Sequence, residues 1–170
     1  MQENQSKVKK VFQLAYAGKF VEAEQLTIEY LKQDPTNAEL MGIMAGIYIE
    51  RKQPDVAKIW VERAKSNDKS YIFAHYLEAR IYHERCQWLE ALKKIQWLLS
   101  AYEGQINKEM LSSIYNLLAN TYLIFGNAES ATEYYLFAHK NGVTKKQIIE
   151  NYSNYLFNLN YLANVSDEAV

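Results

Sequence analysis

Small and apolar residues recur along the chain at a spacing typical of paired α-helices. Ala23, Ala57 and Ala91 stand 34 residues apart, and Ala131 follows after a further 40. A second series of larger residues keeps step nine positions before each alanine, at Leu14, Tyr48, Tyr82 and Tyr122. Between these marks apolar residues recur every three or four positions, which indicates amphipathic helices, and no strand-like alternation stands out. The pattern therefore predicts a series of helical hairpins.

Local signals place the ends of the predicted helices. Gly18 and Gly126 allow the backbone to leave a helix in a left-handed conformation. Asn37 can cap a helix by accepting a backbone hydrogen bond, and Pro54 fits a first helical turn. The hairpins are predicted at residues 7–35, 37–69, 71–104 and 109–143, with about six extra residues within 101–109 and a last helix at about 145–159.

The 34-residue period resembles that of tetratricopeptide repeats, in which each repeat is a helical hairpin. Alanine suits the point where two helices of a hairpin cross, because only a small side chain lets the backbones approach closely. Repeat one departs from the usual pattern, since Lys10 and Val11 occupy the bulky and small positions of its first helix. The resemblance predicts an all-α tetratricopeptide-repeat α-solenoid of about four helical hairpins plus a closing C-terminal helix.

Composition narrows the class of protein. The chain has 19 basic and 20 acidic residues and a net charge of −1, so it lacks the basic excess of a nucleic-acid binder. Its single cysteine, Cys86, suits a reducing compartment. The N-terminus has no apolar core of a secretory signal, and no apolar stretch approaches the ~20 residues of a membrane span. These features predict a cytoplasmic protein that binds neither nucleic acid nor membrane.

Candidate catalytic and metal-binding groups are sparse. His75 and His83 lie eight residues apart, about two helical turns, and Cys86 is the further ligand nearby. A tetrahedral metal site needs more than this, and Cys86 falls at the turn position that Gly18 and Gly126 occupy elsewhere. The sequence contains no phosphate-binding loop, nucleophile elbow or HExxH motif. We therefore predict no catalytic, cofactor or metal site in the chain.

A binding surface is predicted on the first helices of the hairpins, which line the concave face of repeat proteins of this kind. Asn and Arg side chains can hydrogen-bond a peptide backbone, and Tyr and Phe can pack its side chains. The expected partner is a protein or an extended peptide. The Lys and Asn that clamp a peptide carboxylate in chaperone adaptors are replaced by Val8 and Phe12. The predicted contact residues are Phe73, Tyr76, Arg80, His83, Ser113, Asn116, Asn120 and Asn154.

The end of the chain resembles another family. Residues 148–168 are similar to the junction between repeats and catalytic domain in SPINDLY-like and O-linked N-acetylglucosamine transferases. Ala163-Asn164 stands where that family commonly has Pro-Asp. The matching positions are Ser153, Asn154, Leu156, Phe157, Leu159, Asn160, Tyr161, Val165, Ser166 and Glu168.

This resemblance implies that a glycosyltransferase domain follows the repeats. Ser166-Asp167-Glu168 reads as the capped start of another helix, because Ser is a preferred N-cap and acidic residues suit the first turn. We expect the chain to be a fragment, with repeats at 1–145 and a closing helix and the start of a linker at 146–170.

Three functions fit these expectations. The preferred one is a non-catalytic scaffold that recognises the acceptor of a protein glycosyltransferase. The alternatives are a freestanding adaptor and a homo-oligomerisation module, both unrelated to sugar transfer.

Overall fold

A computed structural model describes the backbone of residues 2–168 and the side chains of residues 4–163. This part of the chain forms helices joined by short connections. They divide into two compact units, the first ending at Gln87 and the second beginning at Trp88. The first unit contains α1 (Gln2–Tyr16), α2 (Phe20–Gln33), α3 (Ala38–Glu50), α4 (Pro54–Asn67) and α5 (Ile72–Glu84). The second contains α6 (Trp88–Ala101), α7 (Lys108–Ile124), α8 (Ala128–Asn141) and α9 (Lys145–Glu168).

The same turn closes α1, α3, α5 and α7. Its central residue is left-handed in each case, at Gly18 (φ 75°), Lys52 (φ 59°), Cys86 (φ 58°) and Gly126 (φ 74°). The next residue donates its backbone N–H to a carbonyl five positions earlier at 2.9 Å, a bond characteristic of the Schellman motif. The accepting carbonyls belong to Leu14, Tyr48, Tyr82 and Tyr122, the series that keeps step with the alanines. The interpretation of Cys86 as a turn residue is confirmed.

Two predicted helix starts are also confirmed. The Asn37 side chain accepts a hydrogen bond of 3.0 Å from the backbone N–H of Leu40, as an N-cap does. Pro54 is the first residue of α4, where its missing N–H costs nothing.

Buried small residues permit close helix packing within each unit. Ala23, Ala57, Ala91 and Ala131 each have 0% of their surface exposed. In the first unit, Ala23 packs in a cluster with Val11 of α1, and Ala57 packs in one with Ala45 of α3. In the second unit, Ala131 packs against Ala119 of α7. Ala23, Ala57 and Ala131 therefore mark hairpin crossings, as the sequence predicts.

The first unit has two layers of helices. Helix α3 contacts both α1 and α5, and we call these three the first-helix layer. Helix α2 packs against α1 and α3, and α4 packs against α3 and α5. In the second unit α8 packs against both α7 and α9, α6 packs against α7, and α9 also touches α7.

The extra residues before the fourth hairpin are divided between a loop and a helix. The α6–α7 connection covers residues 102–107, whereas the α2–α3 and α4–α5 connections cover 34–37 and 68–71. Helix α7 has 17 residues against 13 in α3 and in α5, so it is the longer first helix. Ile106 in the connection is 9% exposed and anchors it.

The predicted end of the last helix is wrong. Helix α9 runs without interruption from Lys145 to Glu168, past the predicted end at Leu159. Ser166 therefore lies inside α9 and is not the N-cap of a new helix. Because helix propagation costs little once a helix is packed along one side, α9 extends through the polar residues that suggested a boundary. Residues 169–170 of the predicted linker are outside the described residues.

Candidate functional site

Three helices of the first unit present equivalent positions at a spacing of 34 residues. Phe12 on α1, Gly46 on α3 and Arg80 on α5 form one such set. An ideal Cβ added at Gly46 would meet nothing within 4 Å, so this position on the middle helix is open. The surface is therefore lower over α3 than over its neighbours. We call this region, bounded by Phe12 and Tyr16 on one side and by Phe73, Tyr76 and Arg80 on the other, the α3 depression.

The α1 side of the depression is aromatic and exposed. Phe12 and Tyr16 have 44% and 52% of their surface accessible. Their rings are stacked with centroids 6.2 Å apart, as residues one helical turn apart can be. Sequence reasoning considered Phe12 only as a departure from the carboxylate clamp and did not select either ring. The 34-residue register connecting Phe12 to Arg80 was the signal that would have identified it.

The α5 side contains a second aromatic group. The rings of Tyr71 and Phe73 lie 6.1 Å apart edge to face, and those of Phe73 and Tyr76 lie 5.9 Å apart. The Tyr71 ring covers Gly42, where an added Cβ would lie 2.8 Å from Tyr71 Cε1. Burial raises the pKa of the Tyr71 hydroxyl, which therefore stays protonated. The two glycines of α3 thus have different roles, since Gly42 accommodates a ring and Gly46 leaves space.

The charges beside the depression are paired. The Arg80 guanidinium donates from Nη2 to Glu50 Oε1 at 2.8 Å, and Lys52 Nζ lies 2.9 Å from Glu84 Oε2. Burial lowers the pKa of the His83 imidazole, which favours its neutral form at neutral pH. A partly buried Arg–Glu pair retains guanidinium donors for a second acceptor, since Arg has five N–H groups. The surface therefore combines exposed rings with little net charge.

The predicted residues of the second unit form a polar network. Asn116 Nδ2 donates to Asn151 Oδ1 at 2.6 Å, and Asn120 Nδ2 donates to Asn116 Oδ1 at 3.1 Å. The Tyr135 hydroxyl donates to Asn120 Oδ1 at 2.5 Å. Asn151 in turn donates to the buried Ser112 hydroxyl at 2.9 Å. These bonds join α7 to α8 and to α9, so both predicted asparagines are half-buried and hydrogen-bonded within the fold.

The other two predicted residues of this unit lie beside the network. Ser113 donates to the Glu109 carbonyl and accepts from Gln147 at 3.3 Å. Asn154 is half-buried, and its carbonyl accepts a bond from the Asn158 side chain at 2.9 Å. Sequence reasoning did not select Ser112 or Asn151, because their burial depends on how α9 packs. The contact role of all four predicted residues in this unit stays a prediction.

The structure brings the predicted residues together in two separate groups. Phe73, Tyr76, Arg80 and His83 share α5 in the first unit, and the Ser and Asn residues share α7 and α9 in the second. Among the side chains described, no three His, Cys, Asp or Glu residues lie close enough to hold a metal ion. In the described part of the chain, every helix is too short or too polar to cross a bilayer.

Comparison with known proteins agrees with this architecture. Residues 14–81 match the tetratricopeptide repeat family, while no curated protein sequence matches the chain. The structure of PilF from Pseudomonas aeruginosa is similar with a TM-score of 0.67 and 16% identity, over 93% of this chain and 70% of PilF.

Two further structures show the same fold. MamA has a TM-score of 0.58 and 18% identity, over 89% of this chain and 83% of its own. The tetratricopeptide protein TTC0263 of Thermus thermophilus has a TM-score of 0.55 and 16% identity, over 89% of this chain and 98% of its own. The chain therefore has the predicted all-α tetratricopeptide-repeat fold. These comparisons lend no support to the resemblance to SPINDLY-like transferases.

Proposed function

We propose that the chain is a non-catalytic scaffold that binds an extended peptide segment of a partner protein in the α3 depression. The observation that carries the proposal is the open position at Gly46 between exposed or half-buried aromatic side chains on α1 and α5. Glycine inside a helix costs ~1 kcal/mol relative to alanine, and close approach of another backbone is one use that offsets this cost.

The chemistry of the depression indicates what the peptide contains. Phe12, Tyr16, Phe73 and Tyr76 offer ring faces and edges, which suit large apolar or aromatic side chains. Arg80 can donate to a peptide carbonyl while keeping its bond to Glu50. The preferred ligand is therefore an extended segment with apolar side chains and little charge.

The test fills the depression without disturbing the fold. Peptides selected from a random phage-displayed library on the whole chain are measured against Gly46→Leu, which places a side chain in the open space. Lys58→Leu introduces the same residue at an exposed position of α4 and is the matched control. We expect Gly46→Leu to weaken binding by tenfold or more, about 1.4 kcal/mol, and Lys58→Leu to have no effect.

Two results would overturn this assignment. One is that the selected peptides bind Gly46→Leu as tightly as the unchanged chain. The other is that Phe12→Ala and Tyr76→Ala, which remove a ring from each side, both leave affinity unchanged while circular dichroism shows intact helices. Arg80→Ala tests the polar contact separately, since it leaves the rings in place.

The finer proposal, recognition of an acceptor for a protein glycosyltransferase, is supported only by the sequence similarity at residues 153–168. Those residues lie in α9, which continues the repeat register and so has a structural reason for its apolar positions. The complete reading frame tests this proposal: a transferase domain encoded after residue 170 would support it, and a stop codon there would exclude it. A freestanding adaptor and a homo-oligomerisation module are the remaining alternatives, and a cytoplasmic location remains part of the proposal.

A further inference from the structure

Helix α9 repeats the pattern of a first helix in a hairpin. The positions of α7 that face its second helix include Tyr115, Ala119 and Tyr122. Thirty-four residues later, α9 has Ile149, Ser153 and Leu156. The small residue again lies between larger apolar ones. By this register, α9 presents a surface that accepts another helix.

On α7 these positions are covered by α8. Ala119 packs in a cluster with Ala131 and Tyr135, and Tyr122 stacks on Tyr134 with ring centroids 5.4 Å apart. Tyr115 lies 5.7 Å from the Phe137 ring. The α7 register therefore shows how a helix is received at these positions.

On α9 the corresponding side chains are exposed. Ile149 and Leu156 have 53% and 41% of their surface accessible, and Ile148, Tyr152 and Leu159 extend the same stripe with 38%, 45% and 38% accessible. We call these five residues the α9 stripe. The Tyr152 ring also contacts α8, where it lies 4.9 Å from the His139 ring. Such a row of apolar side chains on one face of a helix is typical of an interaction surface.

The other side of α9 prevents the stripe from turning inward. Asn151 and Asn158 are each 3% exposed, and the Asn151 amide bonds with Ser112 and Asn116 of α7. Rotating α9 to bury the stripe would break these hydrogen bonds and leave buried amides without partners, which costs about 1–3 kcal/mol for each group. The stripe is therefore held outward by the fold of the second unit.

We propose that the α9 stripe binds the α9 stripe of a second copy of this chain, in an antiparallel pair with two-fold symmetry. Residues 151–163 contain no charged side chain, so two copies meet without like charges along this length. Lys145, Lys146 and Glu150 lie at the N-terminal end of α9, and antiparallel pairing sets them at opposite ends. A two-fold pair is also the commonest closed arrangement of identical chains.

Helix packing supports the same occupant. Ser153 lies in the middle of the stripe, where a small side chain permits close approach of two helices, as Ala119 does between α7 and α8. Phe157, which follows Leu156 and is 72% exposed, adds a further apolar side chain at the edge of the stripe.

The experiment measures the oligomeric state of the whole chain by sedimentation over a series of micromolar concentrations. We expect a monomer–dimer equilibrium. Tyr152→Glu and Leu156→Glu place charges in the interface and should each raise the dissociation constant by roughly a hundredfold. Ile59→Glu replaces an apolar residue that is 55% exposed on α4 and is the matched control, which should dimerise normally.

A cross-linking arm tests the antiparallel arrangement. In a Cys86→Ser background, a cysteine introduced at Ser153 lies near the two-fold axis and should form a disulfide between copies. A cysteine introduced at Lys146, far from the axis, should not. Efficient cross-linking at Lys146 and none at Ser153 would overturn the antiparallel pairing.

The remaining outcomes are also decisive. A chain that stays monomeric at every concentration overturns the proposal and leaves a helix of another protein as the occupant of the stripe. Dimers that persist in both glutamate variants, or open-ended higher assemblies, overturn the interface. Gly46→Leu should leave dimerisation unchanged, so failure of the peptide-binding proposal and failure of this one are distinguishable.

Discussion

The two glycines of α3 allow a matched test of the packing around the α3 depression. Both lie within the helix one turn apart, and replacing either by alanine removes the same intrinsic penalty, ~1 kcal/mol. Their surroundings differ. The added methyl group meets nothing within 4 Å at Gly46, but at Gly42 it would lie 2.8 Å from Cε1 and 3.0 Å from the hydroxyl of Tyr71.

Alanine should therefore affect the free energy of unfolding in opposite directions at Gly46 and at Gly42. Gly46→Ala should stabilise the chain by ~1 kcal/mol. Gly42→Ala gains the same helix propensity but must displace the half-buried Tyr71 ring, and overpacking of this kind costs ~1–3 kcal/mol. The difference in unfolding free energy between the two variants should then be ~1–3 kcal/mol. Urea denaturation followed by far-ultraviolet circular dichroism measures it directly.

A second background identifies the ring as the cause. In Tyr71→Ala the obstruction is gone, so adding Gly42→Ala should stabilise that variant by ~1 kcal/mol, as at Gly46. Equal stability changes for Gly42→Ala and Gly46→Ala in the unchanged chain would refute the reasoning. So would an unfavourable effect of Gly42→Ala that persists without the Tyr71 ring.

Three further predictions concern the hairpins of the first unit. Ala57→Leu should overpack the α3–α4 crossing and lower the unfolding free energy by ~1–3 kcal/mol, and unchanged urea denaturation would contradict the register. Cys86→Gly should raise stability by ~1 kcal/mol, because residue 86 has φ 58°, and a lower melting temperature would contradict this. Glu24 accepts a hydrogen bond from the Tyr48 hydroxyl, and this bond lowers the pKa of the Glu24 carboxyl in the folded chain. The stabilisation of the fold by ionised Glu24 is therefore fully present above the unfolded pKa of about 4.3 and is lost as the pH falls below it. Glu24→Gln should reduce this loss in urea titrations at neutral and acidic pH, and an unchanged pH dependence would contradict it.

Much of the hairpin architecture is predictable because its determinants are local. A left-handed turn, an N-cap and an apolar period of three to four residues each involve positions within one or two helical turns. Gly18, Asn37 and Pro54 therefore give correct helix boundaries. Cys86 is recognised as a turn residue from the register, although its chemistry alone would not suggest one.

The candidate site is less predictable because it depends on contacts between distant residues. Asn116 and Asn120 look like solvated positions on a first helix, yet Asn116 bonds with Asn151, which is 35 residues away. The sequence predicted the aromatic residues on the α5 side of the depression, Phe73 and Tyr76, but not those on the α1 side. Gly46 was not predicted, because an open position can be identified only when the side chains of the neighbouring helices are known.

By itself, the amino-acid sequence determined the all-α class, the 34-residue register and the alanines at the hairpin crossings. These follow from side-chain size and backbone preference, which each residue carries wherever it lies. Only the tertiary structure decided that α9 continues to Glu168, that Asn151 bonds with α7, and that the apolar stripe of α9 faces outward. The physical reason is that which face of an amphipathic helix is covered depends on the neighbouring helix.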